Sequence, residues 1–199
     1  MQNFPITLDG FVCADIGAST GGFTDCMLQN GATKVYAIDV GYGQLAWKLR
    51  SDERVINLER TNFRYVTENE IPEKLDFASV EVSFISLKLI LPVLKNIIKD
   101  DGCAVCLIKP QFEAGKERVG KKGVVREPEI HREVLEAFVE NAHAAGMNVH
   151  NITFSPIKGP EGNIEYLMHI SKESNKQMKI SDYIINDIVE KSHSVLSGD

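Results

Sequence analysis

The run Asp15-Ile-Gly-Ala-Ser-Thr-Gly-Gly-Phe-Thr24 has the residue types of a ligand-binding turn. It follows an apolar stretch, Phe11–Ile16, and opens a helical one, Thr20–Asn30. Gly17, Gly21 and Gly22 let the backbone turn tightly and approach a ligand closely. The first helical turn offers free N–H groups. A dinucleotide turn would want Gly-x-Gly-x-x-Gly; the spacing in Gly17-Ala18-Ser19-Thr20-Gly21-Gly22 is different. Ala18, Ser19 and Phe23 complete the expected contact set. Asp15 is placed to accept from a ligand amine or to hydrogen-bond the turn itself. Asp39 stands 22 positions beyond Gly17, at the end of the β-rich run Lys34–Val40. A carboxylate there, next to Val40, can accept both ribose hydroxyls of an adenosine. That suits NAD and S-adenosylmethionine alike. Thr61 and Asn62 follow a third strand at the same sheet edge, to recognise an adenine or to form an Asx-type turn.

Lys109 ends the apolar run Cys103–Ile108, and Pro110 follows it. Ligands sit at strand C-termini in open α/β sheets, so Lys109 reads as a site amine or as a solvated strand-end lysine. Lys116, Arg118, Lys121, Lys122 and Arg126 crowd the next segment, where they can grip phosphates or simply face water. Trp47 is expected to pack rather than to stack on a base. Cys103 and Cys106 have the spacing of half a metal site, but they lie inside an apolar run without a second ligand pair. They read as buried strand residues, and no metal is expected.

Positioning these groups requires elements that alternate in type. Strands are predicted at Phe11–Ile16, Lys34–Val40, Arg54–Leu58, Leu75–Val82, Cys103–Ile108, Asn148–Phe154 and Glu165–Ile170. Helices are predicted at Thr20–Asn30, Gly43–Arg50, Leu87–Lys99, with Pro92 early in it, and Pro128–Ala145, closed by Gly146. Gln111–Arg126 is Gly- and Lys-rich without a clear period and reads as a mobile loop. Lys158–Asn163 is turn-forming. Ser171–Met178 reads as a linker and Ile180–Leu196 as an amphipathic helix. The expected fold is therefore α/β, a mostly parallel seven-stranded sheet with one antiparallel edge strand. Residues 1–172 form the main domain, and 173–199 a linker and C-terminal helix.

At 199 residues, with 43% hydrophobic and 25% charged, the chain needs no staples to build a core. Its apolar runs are too short to span a bilayer, and its start does not read as a signal peptide. A cytoplasmic location is expected. The net charge of −6 argues mildly against strong nucleic-acid binding by this chain alone. No basic amphipathic segment suggests a membrane-lytic device.

Five strings occur in order: Asp15 to Asp25; Asp39-Val-Gly-Tyr-Gly-Gln-Leu-Ala-Trp47; Ser83-Phe-Ile-Ser-Leu87; Lys109-Pro-Gln-Phe-Glu113; and Gly162-Asn-Ile-Glu-Tyr166. Together, across about residues 11–170, they resemble the hemolysin-like TlyA branch of the FtsJ-type RNA methyltransferases. The resemblance implies a Rossmann-like fold, S-adenosylmethionine as methyl donor, and ribose 2'-O-methylation of ribosomal RNA, with RNA or a ribosomal subunit as partner. It leaves the oligomeric state open.

FtsJ-type enzymes use a Lys-Asp-Lys-Glu set. By motif, the second member falls on Glu81, the third on Lys109 and the fourth on Glu165. Glu81 departs from the usual aspartate by one methylene; it is expected to face the methionine end of the cofactor or to align Lys109. The first lysine lies upstream of the glycine turn in the family, and residues 1–10 contain none. An S4-type RNA-binding domain usually precedes it. The chain therefore reads as the catalytic part of a longer protein. The alternative is a module that binds cofactor and RNA without catalysis. Under the leading reading, Lys109 draws the proton from a ribose hydroxyl while Glu81 and Glu165 orient it. An NAD-dependent oxidoreductase is disfavoured by the glycine spacing.

Overall fold

The computed structural model describes residues 4–172 and 180–196. Its seven strands are β1 (Val12–Ile16), β2 (Lys34–Ile38), β3 (Val55–Leu58), β4 (Leu75–Val80), β5 (Ile98–Ile108), β6 (Asn148–Phe154) and β7 (Tyr166–Ser171). They form one sheet in the order β3-β2-β1-β4-β5-β7-β6. The pairs from β3 through β5 are parallel, whereas β7 is antiparallel to both β5 and β6. The antiparallel part lies at the expected edge. In detail β7 is second from that edge, and outermost β6 runs with the other five strands.

Among the described residues six α-helices accompany the sheet: α1 (Gly22–Gln29), α2 (Trp47–Arg50), α3 (Leu91–Ile97), α4 (Pro110–Glu113), α5 (Pro128–Ala144) and α6 (Asp182–Leu196). Strands buried on both faces read as continuous apolar runs, and β1 shows how the faces divide. Cys13 packs with Val35, Met27 and Leu49 on the α1 side. Ala14 and Ile16 join Leu91, Leu94, Leu135, Phe138 and Val189 on the other. Helix α6 packs on α5 and β6 within that second core.

Five expectations are corrected. The predicted helix Gly43–Arg50 shrinks to Trp47–Arg50, because Gly43 takes φ +73° and Ala46 is extended. Carboxylates hold the preceding turn instead: Asp39 accepts from Gly41 N at 2.7 Å and Glu59 from Gly43 N at 2.7 Å. The helix expected through Lys99 ends at Ile97, and β5 begins at Ile98, which pairs with Leu75. The segment read as a mobile loop is built of α4 and two 3-10 turns, Lys116–Arg118 and Lys121–Gly123, and buries Val124 and Val125. Trp47, expected to pack, is 80% exposed. Ser171 closes β7 rather than opening a linker; most of that predicted linker, 173–178, lies outside the described residues.

None of the four cysteines forms a disulfide. Among the described residues no group of His, Cys, Asp and Glu is arranged to hold a metal. Among them, too, no helix is long and apolar enough to cross a membrane.

Candidate active site

Strand order reverses between β1 and β4, and a cleft of about 640 Å³ opens at the C-terminal ends of β1, β2 and β4. This is the crevice where open α/β sheets bind ligands. Of the residues singled out in the sequence, Gly17, Ser19, Asp39, Val40, Thr61, Asn62, Glu81 and Lys109 line it.

Gly17 has φ +86°, and a Cβ there would collide with the Glu81 carbonyl oxygen. The chain after β1 and the chain after β4 thus touch backbone to backbone, and Glu81 N–H donates to Ile16 O at 2.8 Å. Only glycine fits both demands.

Asp39 follows β2. Its Oδ2 accepts the Ser19 N–H at 2.8 Å, while its Oδ1 accepts from Gly41. One carboxylate therefore fixes the turns after β1 and β2 together. Each oxygen keeps a second lone pair for a ligand hydroxyl. Asn62 Oδ1 accepts from Arg64 N at 3.1 Å, so the Asx-type turn forms, and the residue still reaches the cleft wall.

Asp15, Ala18, Gly21, Gly22 and Phe23 do not line the cleft: the first three are buried behind its wall, and Gly22 and Phe23 are exposed at the start of α1. Asp15 is 1% exposed; it accepts from Thr24 N and Oγ1 and from Ser79 Oγ at 2.7–3.0 Å. It ties α1 to β1 and β4 from below. Burial pushes its pKa up, against those hydrogen bonds. Leu45 and Leu49 fill the space where a Gly21 side chain would project.

Lys109, 9% exposed, closes the other end of the cleft. Its Nζ donates to Glu81 Oε1 at 3.1 Å and to Ser83 Oγ at 3.2 Å. The additional methylene of Glu81 thus leaves it within reach of the lysine. Glu165, just before β7, accepts from Gln111 Nε2 at 3.0 Å. Burial raises its pKa; the Gln111 hydrogen bond and the Lys109 charge oppose that, and Glu81 adds to it. Glu81, Lys109 and Glu165 thus stand near one another, where β4 and β5 end and β7 begins, although Glu165 does not itself line the cleft.

Ser83, Gln111, Gln44 and Phe84 were not singled out. All four sit inside the strings quoted above, and for Ser83, Phe84 and Gln111 adjacency to Glu81 and Lys109 is the available signal. Phe84 is 90% exposed with φ +62°, its ring 4.7 Å from that of Phe112. A non-glycine residue held in this region marks a strained, over-determined segment.

The donor set fits S-adenosylmethionine. Two carboxylates, Asp39 and Glu81, line the cleft together with apolar Ile38, Phe63, Ile85 and Ile90, a lining that suits a sugar and a cationic group joined through an apolar middle.

The basic segment lies directly after Lys109. Lys116, Lys121, Lys122 and Arg126 are exposed, while Arg118 pairs with Glu133 at 2.6 Å. Asn163 anchors the segment, accepting from Val125 N and donating to Gly123 O.

Comparison with known proteins agrees with this geometry. The FtsJ-like methyltransferase family matches residues 1–172. YqxC of Bacillus subtilis is 48% identical over 98% of this chain and 71% of its own length. The 16S/23S rRNA (cytidine-2'-O)-methyltransferase TlyA of Mycobacterium tuberculosis is 43% identical over 89% of this chain, which spans 66% of that protein. A solved structure from Streptococcus thermophilus superposes with a TM-score of 0.92 at 48% identity, covering 96% of this chain and 70% of that one.

Proposed function

The chain belongs to the FtsJ-like methyltransferase family, and from that premise we propose that it methylates a ribose 2'-hydroxyl of ribosomal RNA with S-adenosylmethionine as donor. The observation that carries this reading is the Lys109 amine, buried at the end of an adenosine-sized cleft and hydrogen-bonded to Glu81 and Ser83. The relative named for cytidine-2'-O methylation of 16S and 23S rRNA supports the acceptor class.

S-adenosylmethionine supplies an electrophilic methyl group. The chain's residues do the rest. Asp39 holds the ribose of the donor; Thr61 and Asn62 face its base. Gly17 lets the backbone come close, while Ser19 is fixed by Asp39 at the rim. Asp15, Ala18, Gly21, Gly22 and Phe23 act by shaping the turn. At the reacting end, a hydroxyl is a weak nucleophile until its proton is drawn off. Lys109 Nζ is the group that accepts that proton. Glu81 and Ser83 aim the amine, and Glu165, steadied by Gln111, orients the acceptor ribose. The exposed lysines and Arg126 beyond α4 take the flanking phosphates.

The test is methyl transfer from labelled S-adenosylmethionine to ribosomal RNA and to intact subunits, with ribose-specific mapping of the product. Label on ribose 2'-oxygens is expected and should vanish in Lys109→Ala. Transfer to a base atom, or a Lys109→Ala variant as fast as the parent, overturns the assignment.

A further inference from the structure

The strap between Glu81 and Ser86 is pinned at both ends. Its start is fixed by the Glu81 N–H to Ile16 O bond and by the contact that excludes a side chain at Gly17. Its far end is held by Glu113, the last residue of α4. Glu113 Oε2 accepts from Ser86 Oγ at 2.7 Å, and Oε1 accepts from Leu87 N at 2.8 Å. Ser86 Oγ in turn accepts from Lys88 N at 3.2 Å, capping the 3-10 turn that leads into α3. Between the pins, Ser83 touches Lys109 and Phe84 holds a left-handed conformation against the Phe112 ring.

Lys109 and Glu113 are the two flanks of one short helix, α4. A rigid turn therefore carries the amine at one side and the clamp on the strap at the other. We propose that Glu113 is a positioning residue: by clamping Ser86 and Leu87 to α4, it sets the distance from Glu81 and Ser83 to the Lys109 amine. This rests on the reading of Lys109 as the base. A carboxylate accepting from an N–H and an O–H is a strong, directional tether, and it is added to a strap otherwise packed on the core through Val82 and Ile85. Released, Ser83 and Glu81 drift from Lys109, and misplacement by an ångström is costly in a transfer step.

Glu113→Asp tests this while keeping the charge and shortening the reach; Ser86→Ala removes one arm. Both are measured as the full chain, with S-adenosylmethionine and ribosomal RNA. For Glu113→Asp, kcat is expected to fall about tenfold to a hundredfold, while KM for S-adenosylmethionine changes by less than about threefold. Ser86→Ala should lose less, and the thermal midpoint should stay near that of the parent. A second readout needs no substrate: the Lys109 side-chain NMR titration should shift in Glu113→Asp, because its neighbours have moved. Unchanged kcat and unchanged Lys109 titration overturn the proposal. So does a kcat loss accompanied by an equal rise in KM or by a collapsed thermal midpoint, either of which marks a merely structural role. Should the parent transfer no methyl to RNA at all, the functional reading fails, and the Lys109 titration still decides the clamp.

Discussion

Asn163 grips Val125 from across the active-site edge: its Oδ1 accepts the Val125 N–H at 3.1 Å, and its Nδ2 reaches Gly123 O at 3.0 Å. The residue is itself buried, and Val125 behind it is buried too. This pair turns the Gly- and Lys-rich segment after α4 from a free loop into a fixed one. Glu165 lies two residues along the same strand approach, so one short string carries both the loop anchor and a site carboxylate.

Asn163→Ala leaves the Val125 N–H and the Gly123 carbonyl without these partners. Stranding a buried group costs about 1–3 kcal/mol. The variant should unfold at lower denaturant concentration by that amount. Its affinity for ribosomal RNA should also weaken, since the lysines and Arg126 lose their fixed base, while S-adenosylmethionine binding by calorimetry stays close to that of the parent. Equal RNA affinity in parent and variant would show that the loop needs no anchor.

Lys109→Met keeps the volume of the side chain and removes the amine. General-base contributions run to about a hundredfold to ten-thousandfold, so kcat should drop by that order. Donor binding should persist, because Asp39 lines the cleft away from the Lys109 contacts with Glu81 and Ser83. A calorimetric titration beside the rate measurement separates the two; loss of binding equal to the loss of rate contradicts the division of labour.

Much of this was legible in the sequence for a physical reason. Parallel strands buried on both faces leave continuous apolar runs, and glycine at a positive φ has no substitute, so β1, β2 and Gly17 could be placed from residue types. The motif strings brought Glu81, Lys109 and Glu165 together before their distances were known. What escaped was set by long-range contacts. The run Gly43–Arg50 looks helical by apolar spacing, yet the Asp39 and Glu59 carboxylates take the amides of Gly41 and Gly43 and hold its start as a turn. The order in the Lys116–Arg126 segment depends on Asn163, about 40 residues away. Trp47 carries no local mark of exposure, and nothing near it in sequence distinguishes a packed indole from a bare one.

Asp39→Asn is the sharpest test of the donor end. Both oxygens of Asp39 already accept backbone N–H groups, from Ser19 and from Gly41. The amide of an asparagine must aim an N–H at one of these donors or turn away from it. Either choice loosens the turn after β1 and removes the charge that holds the donor's ribose. Charge-assisted hydrogen bonds contribute about 1.5–3 kcal/mol each, so the dissociation constant for S-adenosylmethionine should rise by about tenfold to a hundredfold. Direct titration checks this, and an unchanged constant removes Asp39 from the binding site.

The last prediction concerns acid stability and arises far from the cleft. His131, fully buried in α5, approaches Val125 O at 3.2 Å through Nε2. Its Nδ1 meets Tyr166 OH of β7 at 3.0 Å and His193 Nε2 of α6 at 2.9 Å. Burial lowers its pKa from 6.5 to about 4, and His193 adds to the shift, while Val125 O and Glu127 oppose it. His193 is lowered as well, by burial and then by Arg132. A histidine kept neutral in the folded state binds fewer protons than the unfolded chain between those two values, so stability falls as pH falls. The contribution is complete above about pH 6.5 and is lost progressively toward about pH 4, up to about 3 kcal/mol for His131. Asp15 and Glu165, raised by burial, act in the opposite sense at the acid end of this window. Comparing His131→Gln with the parent cancels their effect. The parent should lose stability more steeply than the variant between pH 6.5 and 4.5 in denaturant titrations. Parallel curves would mean that His131 titrates normally in the folded chain and that the junction of α5, α6 and β7 tolerates its charge.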